Sequence, residues 1–285
     1  MAIVQGAKRR RALSTLLWEC VLALCSILFL LPFVWMVKTA LMTPRQIVAY
    51  PPEWIPNPFT VRSFQEGLAV SGFDRYFANT AFITVMTIVG TLLSSSMVAF
   101  GFARLKARGK GLLFTVLLAT MMIPGTVTLI PMFVLYSNLK WVDTYLPLIL
   151  PAFLGGGAFN IFLLRQFFAS IPKELAESAM IDGSSWPGIF ARIYLPNAKP
   201  SLLVVTMFTF VGAWKDYFAP MIYLVNPKKF TLAIGLNTFK SQYGGAQDLG
   251  PLMAMSLLTV LPVLALYLFC QKYFVQGVVT SGVKG

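Results

Sequence analysis

The chain has 285 residues and no histidine. That absence removes the commonest general base, every histidine-dependent triad and every histidine metal site. Cysteine is nearly absent: Cys20 and Cys25 share one apolar stretch, and Cys270 lies in the last one. Their spacing matches no metal set and supplies no disulfide framework. Acids are scarce too, ten Asp and Glu in all. No two sit at helical spacing inside an apolar run, so the paired carboxylates of acid–base chemistry are missing. Neither a phosphate loop (Gly-x4-Gly-Lys-Ser/Thr) nor His-Glu-x-x-His occurs. Charged residues make up 12% of the chain, against about 25% in soluble domains. These deficits argue against an enzyme and against a soluble protein.

What is present is apolar. Hydrophobic residues reach 57% and the mean hydropathy is +0.74. A bilayer core of about 30 Å takes about 20 apolar residues per helix. Six runs qualify: 16–37, 77–103, 111–136, 145–168, 201–225 and 252–274. Pro32, Pro124, Pro131, Pro151 and Pro262 interrupt them, as kinks that neighbouring helices can satisfy. The first run follows Lys8–Arg11 and no small-residue cleavage site closes it, which reads as a retained anchor. The expected fold class is therefore all-α: a polytopic membrane protein with six transmembrane helices. Its expected parts are a basic amino terminus (1–15), a membrane domain (16–275) with a polar loop at 171–200, and a tail (276–285).

Lys and Arg number 23, a formal net charge of +13. With the amino terminus inside, fourteen of them fall on inner segments and nine on the longer outer ones. The positive-inside rule then places both termini and the 171–200 loop in the cytoplasm. The outer segment 39–75 is rich in proline and aromatics, the composition of an interfacial belt. The outer loop 226–250, with Gly244, Gly245 and Gly250, reads as a flexible projection. Inside the runs the ionisable groups are few: Glu19 at an edge, and Lys215 and Asp216 in the fifth. Adjacent residues point in different directions on a helix, so each is expected to find its own partner or reach the interface. An ion-coupled secondary transporter is the alternative reading, but it needs intramembrane ionisable groups.

Residues 171–200 form a charged island between nearly charge-free flanks. Ser170 and Pro172 suit a helix start, and Glu174 and Glu177 suit its first turns. Asp182-Gly183 stops it, with glycine free to take positive φ. Ser184 or Ser185 starts a second helix through Pro187, Ile189, Phe190 and Ile193, and Leu195-Pro196 closes it. A small-residue face on the first helix suits close approach by another protein.

Glu177-Ser178-Ala179, Asp182-Gly183, Ile193 and Leu195-Pro196 resemble the cytoplasmic coupling signature (Glu-Ala-Ala … Gly … Ile-x-Leu-Pro) of permease subunits in binding-protein-dependent ABC importers. Serine replaces the middle alanine. Phe162 to Phe168, Trp214-Lys-Asp-Tyr217 with Pro220, and Gly282 to Gly285 extend the likeness to carbohydrate-uptake permeases of the maltose type, closest to their second, G-type membrane subunit. The resemblance implies a bacterial inner-membrane, multi-pass subunit that imports sugars or sugar-like solutes by alternating access. Its implied partners are a second permease subunit, two copies of a cytoplasmic ATPase and an external substrate-binding protein. The chain itself would bind no cofactor; the partner ATPase would use ATP with Mg. The coupling residues would be Glu177, Ser178, Ala179, Asp182, Gly183, Ile193, Leu195 and Pro196, with Glu177 as the charged contact. The tail would dock on the ATPase dimer.

Sugars need hydrogen bonds and an aromatic face. Asn79, Thr80, Thr84, Asn160 and Trp214 offer these inside apolar runs and are candidates for a substrate pathway. The same residue types also glue membrane helices together. Gly155-Gly-Gly157 reads as a site of close packing.

Overall fold

The computed structural model describes residues 2–243 and 249–282, and every regular element among them is helical. In chain order these are α1 (Ala2–Ala40), α2 (Pro44–Ile47), α3 (Arg62–Ser71), α4 (Phe73–Arg104), α5 (Lys110–Thr120), α6 (Gly125–Asn138), α7 (Leu146–Phe153), α8 (Ala158–Ser170), α9 (Glu174–Ile181), α10 (Trp186–Ile189), α11 (Leu195–Asn197), α12 (Lys199–Trp214), α13 (Phe218–Tyr223), α14 (Leu232–Tyr243) and α15 (Gly250–Gly282). Four stretches are long and apolar enough to cross a bilayer: Ser14–Ala40, Phe73–Arg104, Leu146–Ser170 and Gly250–Gln271. The chain divides into two compact units, Met1–Ser71 with Thr238–Leu258, and Gly72–Asn237 with Thr259–Gly285.

In the first unit α1 buries nothing from Ser14 to Trp35, as suits a helix apolar all round and bathed in lipid. Its end is polar and packed. The Lys38 ammonium lies 3.8 Å from the Trp35 ring centre and 5.4 Å from that of Trp54. The cation thus trades water for two aromatic faces. Thr43 and Gln46 close a reciprocal capping box on α2, which satisfies the donors a helix start leaves open. Tyr50, Ile55 and Phe59 of this proline-rich segment are exposed.

The second unit is built on α4. This helix of 32 residues runs about 48 Å at 1.5 Å per residue, and α7, α8 and α12 pack along it. Small residues let them approach. A Cβ on Gly90 would come within 2.5 Å of the Phe153 ring. One turn on, Ser94 Oγ donates to the α7 carbonyl of Ala152 at 2.6 Å. Small residues and interhelical hydroxyls are the adhesive available where lipid removes the hydrophobic drive.

Three apolar runs are broken rather than kinked. The third turns by 98° between α5 and α6. Met121, Met122 and Ile123 tighten the end of α5 with i→i−3 bonds. Pro124, at φ −60° and ψ 132°, then redirects the chain, since proline cannot donate to a continuing helix. The fourth breaks at residues 155–157, where all three glycines take positive φ. Gly156 also packs closely, because a Cβ there would lie 2.8 Å from the Thr91 carbonyl oxygen. The fifth breaks after Trp214, leaving α12 with 16 residues. Two further differences from expectation concern ends. The 226–250 loop contains a 3-10 turn at Pro227–Lys229 followed by α14, while residues 244–248, with Gly244 and Gly245, lie outside the described residues. The expected tail is helical as far as Gly282 within α15; residues 283–285 lie outside the described residues.

Gly156→Ala combines a positive φ with a backbone clash, so it is expected to destabilise the fold by about 1–3 kcal/mol. Gly101→Ala, with nothing within 4 Å of the added Cβ, should leave it unchanged or slightly stabilised. Thermal melts in detergent followed by size exclusion compare the two.

Candidate functional site

The charged island folds as a helix, a glycine turn and a second helical stretch. Lys173 precedes α9 without a side-chain cap, and Glu174 and Glu177 fill the first turn, near the positive end of the helix dipole. Ser170 does not start this helix. It ends α8 and returns its hydroxyl to the Phe167 carbonyl at 2.7 Å. At the other end Gly183 takes φ +80°. The Gly183 N–H donates to Met180 O at 3.1 Å and the Ser184 N–H to Ala179 O at 2.9 Å. This pair of bonds is the Schellman stop. Asp182 is exposed and its side chain makes no hydrogen bond, so the turn is closed by the glycine backbone alone.

The second stretch runs further than its proline suggests. After α10, Phe190–Tyr194 form a π-helical turn, and α11 continues to Asn197. Leu195 N–H donates to Phe190 O. Pro196 has no N–H to offer the carbonyl four residues back; the wider turn carries the chain past it, and Asn197 Nδ2 takes up Ile193 O at 2.7 Å. Leu195-Pro196 therefore does not close the helix.

The inner face of this segment is part of the core. Ala176, Ile189, Tyr194 and Ala198 are buried with Phe100 of α4 and Leu164 and Phe168 of α8. Phe100 is central. Its ring centre lies 5.0 Å from Tyr194, 5.1 Å from Phe190, 6.1 Å from Trp186 and 6.3 Å from Phe168. Such edge-on and tilted contacts add about 0.5–1.5 kcal/mol each beyond burial. One turn on, Arg104 donates to the Phe168 carbonyl at 2.5 Å and to the Ile171 carbonyl, and lies 5.0 Å over the Tyr194 ring. The small face of α9 is thus spent inward: Ala176 is buried and Ala179 packs against the same core. Outward it presents Glu174, Leu175, Glu177, Ser178, Ile181 and Asp182, with Ile181 87% exposed. The result is an exposed ridge of mixed apolar and acidic side chains. Phe100, Arg104 and Tyr194 escaped sequence reasoning. The charge of Arg104 counted only toward topology, and a phenylalanine in an apolar run carries no mark of its partners.

The five pathway candidates do not converge on one space. Asn79 Nδ2 donates to the carbonyls of Lys228 and Phe230 at 3.0 and 2.9 Å. Thr80 Oγ1 accepts the Leu232 N–H at 2.9 Å. Asn160 Nδ2 donates to Gly156 O at 2.7 Å, and Trp214 Nε1 to Thr259 O at 3.0 Å. Thr84 is fully buried and its hydroxyl has no partner. A cavity of about 300 Å³ includes Thr80, with Thr87, Asp216 and Thr231 as its other polar walls.

Asp143, in the turn between α6 and α7, clasps the segment that precedes the 3-10 turn. Its Oδ1 accepts the N–H groups of Asn226 at 2.9 Å and Val225 at 3.1 Å, and its Oδ2 pairs with Lys229 Nζ at 2.9 Å. The Asn226 N–H, together with the Lys229 ammonium, lowers the carboxyl from 3.8 to about 2.

Comparison with known proteins follows the same outline. The family described as "Binding-protein-dependent transport system inner membrane component" matches residues 92–280. The arabinooligosaccharides transport system permease protein AraQ of Halalkalibacterium halodurans is 35% identical over 231 residues, 81% of each chain. The inner membrane ABC transporter permease protein YcjP of Escherichia coli is 30% identical over 281 residues, 98% of this chain and 100% of its own. Among solved structures, a chain of a bacterial ABC transporter involved in the import of the acidic polysaccharide alginate superposes with a TM-score of 0.80. It covers 90% of this chain and 94% of that one at 23% identity, a likeness of fold.

Asp143→Asn removes the charge from the outer clasp. Tryptic cleavage after Lys228 and Lys229 should speed up by about tenfold, the order expected for losing charge-assisted hydrogen bonds. Because the folded carboxyl titrates below its ordinary 3.8, the clasp is at full strength above that pH and is lost only as the pH falls through about 2. Amide exchange at Val225 and Asn226, corrected for intrinsic rates, checks this.

Proposed function

This chain belongs to the binding-protein-dependent transport system inner membrane components, and we propose that residues 177–196 are where it receives the motion of a cytoplasmic ATPase. It is the permease subunit of an ABC importer, not an enzyme. The observation that carries the proposal is the shared core of the island with α4 and α8. A push on α9 cannot be absorbed locally, because close-packed cores transmit displacement. The exposed ridge of Glu177, Ser178, Ile181 and Asp182 meets the ATPase, with Glu177 as its charged contact. Gly183 sets the turn, and Ile193, Leu195 and Pro196 tie the second stretch to α12.

In this reading six helices span the membrane. The bent α5–α6 pair counts as one span and α12 with α13 as another, and both termini are cytoplasmic, as the basic residues favour. The subunit pairs with a second permease and two ATPase copies that use ATP with Mg, and takes substrate from an external binding protein. Sugars or short oligosaccharides are the cargo; AraQ and the diacetylchitobiose uptake system permease protein DasC of Streptomyces coelicolor, 30% identical over 279 residues, support that class by their names.

Glu177→Lys and Gly183→Asp should each cut ATPase association and sugar uptake by at least about tenfold, as loss of one interfacial charge contact does. Co-purification and vesicle uptake measure both. Full assembly and uptake in both variants would overturn the assignment.

A further inference from the structure

A second feature of the island adjoins its exposed ridge at Glu177. The end of α4, the start of α5 and the flank of α9 enclose a cavity of about 710 Å³, within the roughly 300–1,000 Å³ of small-ligand clefts. Arg104, Lys106, Lys110 and Lys173 line it, against one carboxylate, Glu177. None of these five makes an ion pair among the described residues. Lys110 Nζ caps the Leu105 carbonyl at 2.8 Å; the side chains of Lys106 and Lys173 have no hydrogen-bond or ion-pair partner among the described residues. Two buried polar atoms without a hydrogen bond, Arg104 Nε and Tyr194 Oη, belong to lining residues. Hydrogen-bonding capacity and positive charge are therefore concentrated here and left unused. Four cations around one space repel one another unless an anion enters.

The wall beside the cavity is apolar. α5 buries no residue, and Leu112, Leu113 and Val116 of its first turns are 70%, 60% and 54% exposed. Trp186 stands on the cavity lining at 38% exposure, amphipathic as residues at a membrane interface are. A cationic pocket beside an exposed apolar helix wall matches the two-part chemistry of a phospholipid. From this we propose that the cavity binds the phosphate headgroup of an anionic phospholipid, whose acyl chains lie along α5. Lys106 and Lys173 supply the charge that holds the phosphodiester; Arg104 fixes the floor. Basic pockets at the ends of membrane helices take such headgroups elsewhere. The proposal needs α4 and α5 to lie in a membrane; Glu177 belongs both to this cavity and to the ridge assigned to the ATPase, so the two readings are separated through Lys106 and Lys173, which the ridge does not include.

The full chain, purified in detergent, is titrated with phosphatidylglycerol or with phosphatidylcholine of the same acyl chains, and bound lipid is counted by native mass spectrometry. Phosphatidylglycerol should be retained about tenfold more strongly or better, the order set by two basic side chains at an anionic lipid. Lys106→Gln combined with Lys173→Gln should abolish that preference, while Lys240→Gln, in α14, should keep it. Equal retention of the two lipids, or a preference that survives the double substitution, overturns the proposal. Displacement by millimolar inorganic phosphate would overturn the lipid source in favour of a soluble phosphoryl ligand. Carbodiimide cross-linking of Lys106 or Lys173 to an ATPase carboxylate in the assembled complex would assign the cavity to that partner instead.

Discussion

The packing of Phe100 is the constraint on which the functional end of this subunit depends. A polar, charged segment of some thirty residues would ordinarily be a mobile loop between spans. Here its inner face supplies Tyr194, Phe190 and Trp186 to a ring cluster centred on α4. Arg104, one turn on, donates to the carbonyls that end α8. The island is thus an extension of the helix bundle. Its inner face shares one packed core with α4, α8 and α12.

The same economy explains the breaks in the apolar runs. Inside a membrane each backbone group released by a break needs a partner from the protein. Asn160 takes the Gly156 carbonyl beside the triple-glycine bend. Asp216 accepts the Ala219 N–H where α12 gives way to α13. Asn79 and Thr80 hold the chain between the 3-10 turn and α14, and Asp143 clasps the segment that precedes it. Polar residues in apolar surroundings are spent on irregular backbone, at two of the three breaks and in the segments that connect helices.

Much of this was legible in sequence. Composition and run length dictate helices and a membrane, because burying backbone in lipid admits little else. Pro124, the glycine triplet and Gly183 mark breaks and stops through φ restrictions that act locally. The island's two helices follow from Pro172, Gly183 and Pro187 for the same reason. What was not legible depends on distant partners. Pro124 stands at a 98° turn while Pro32 is only a residue inside α1, a difference that the presence of a proline does not foretell. The π turn before Pro196 arises where that ring removes a donor while Tyr194 must still reach Phe100. Asn79 and a sugar-binding asparagine look alike in a sequence; only the loop 151 residues away tells them apart.

That distinction bears on where substrate is recognised. Four of the five pathway candidates each have a polar atom bonded to backbone, so a sugar hydroxyl would compete there with a bond that holds the fold. A residue recruited to bind cargo would do better with capacity to spare. Among the described residues such capacity lies with Thr84 and Thr231, whose buried hydroxyls have no partner, and with Asp216, whose carboxylate can accept more than the Ala219 N–H it holds and which shares a cavity with Thr231. The three come from different elements: Thr84 from α4, Asp216 from the gap between α12 and α13, and Thr231 from the segment just before α14. A pathway lined by this subunit would draw on the junctions where helices end, since a regular helix has already satisfied its own backbone and leaves only side chains to speak for it.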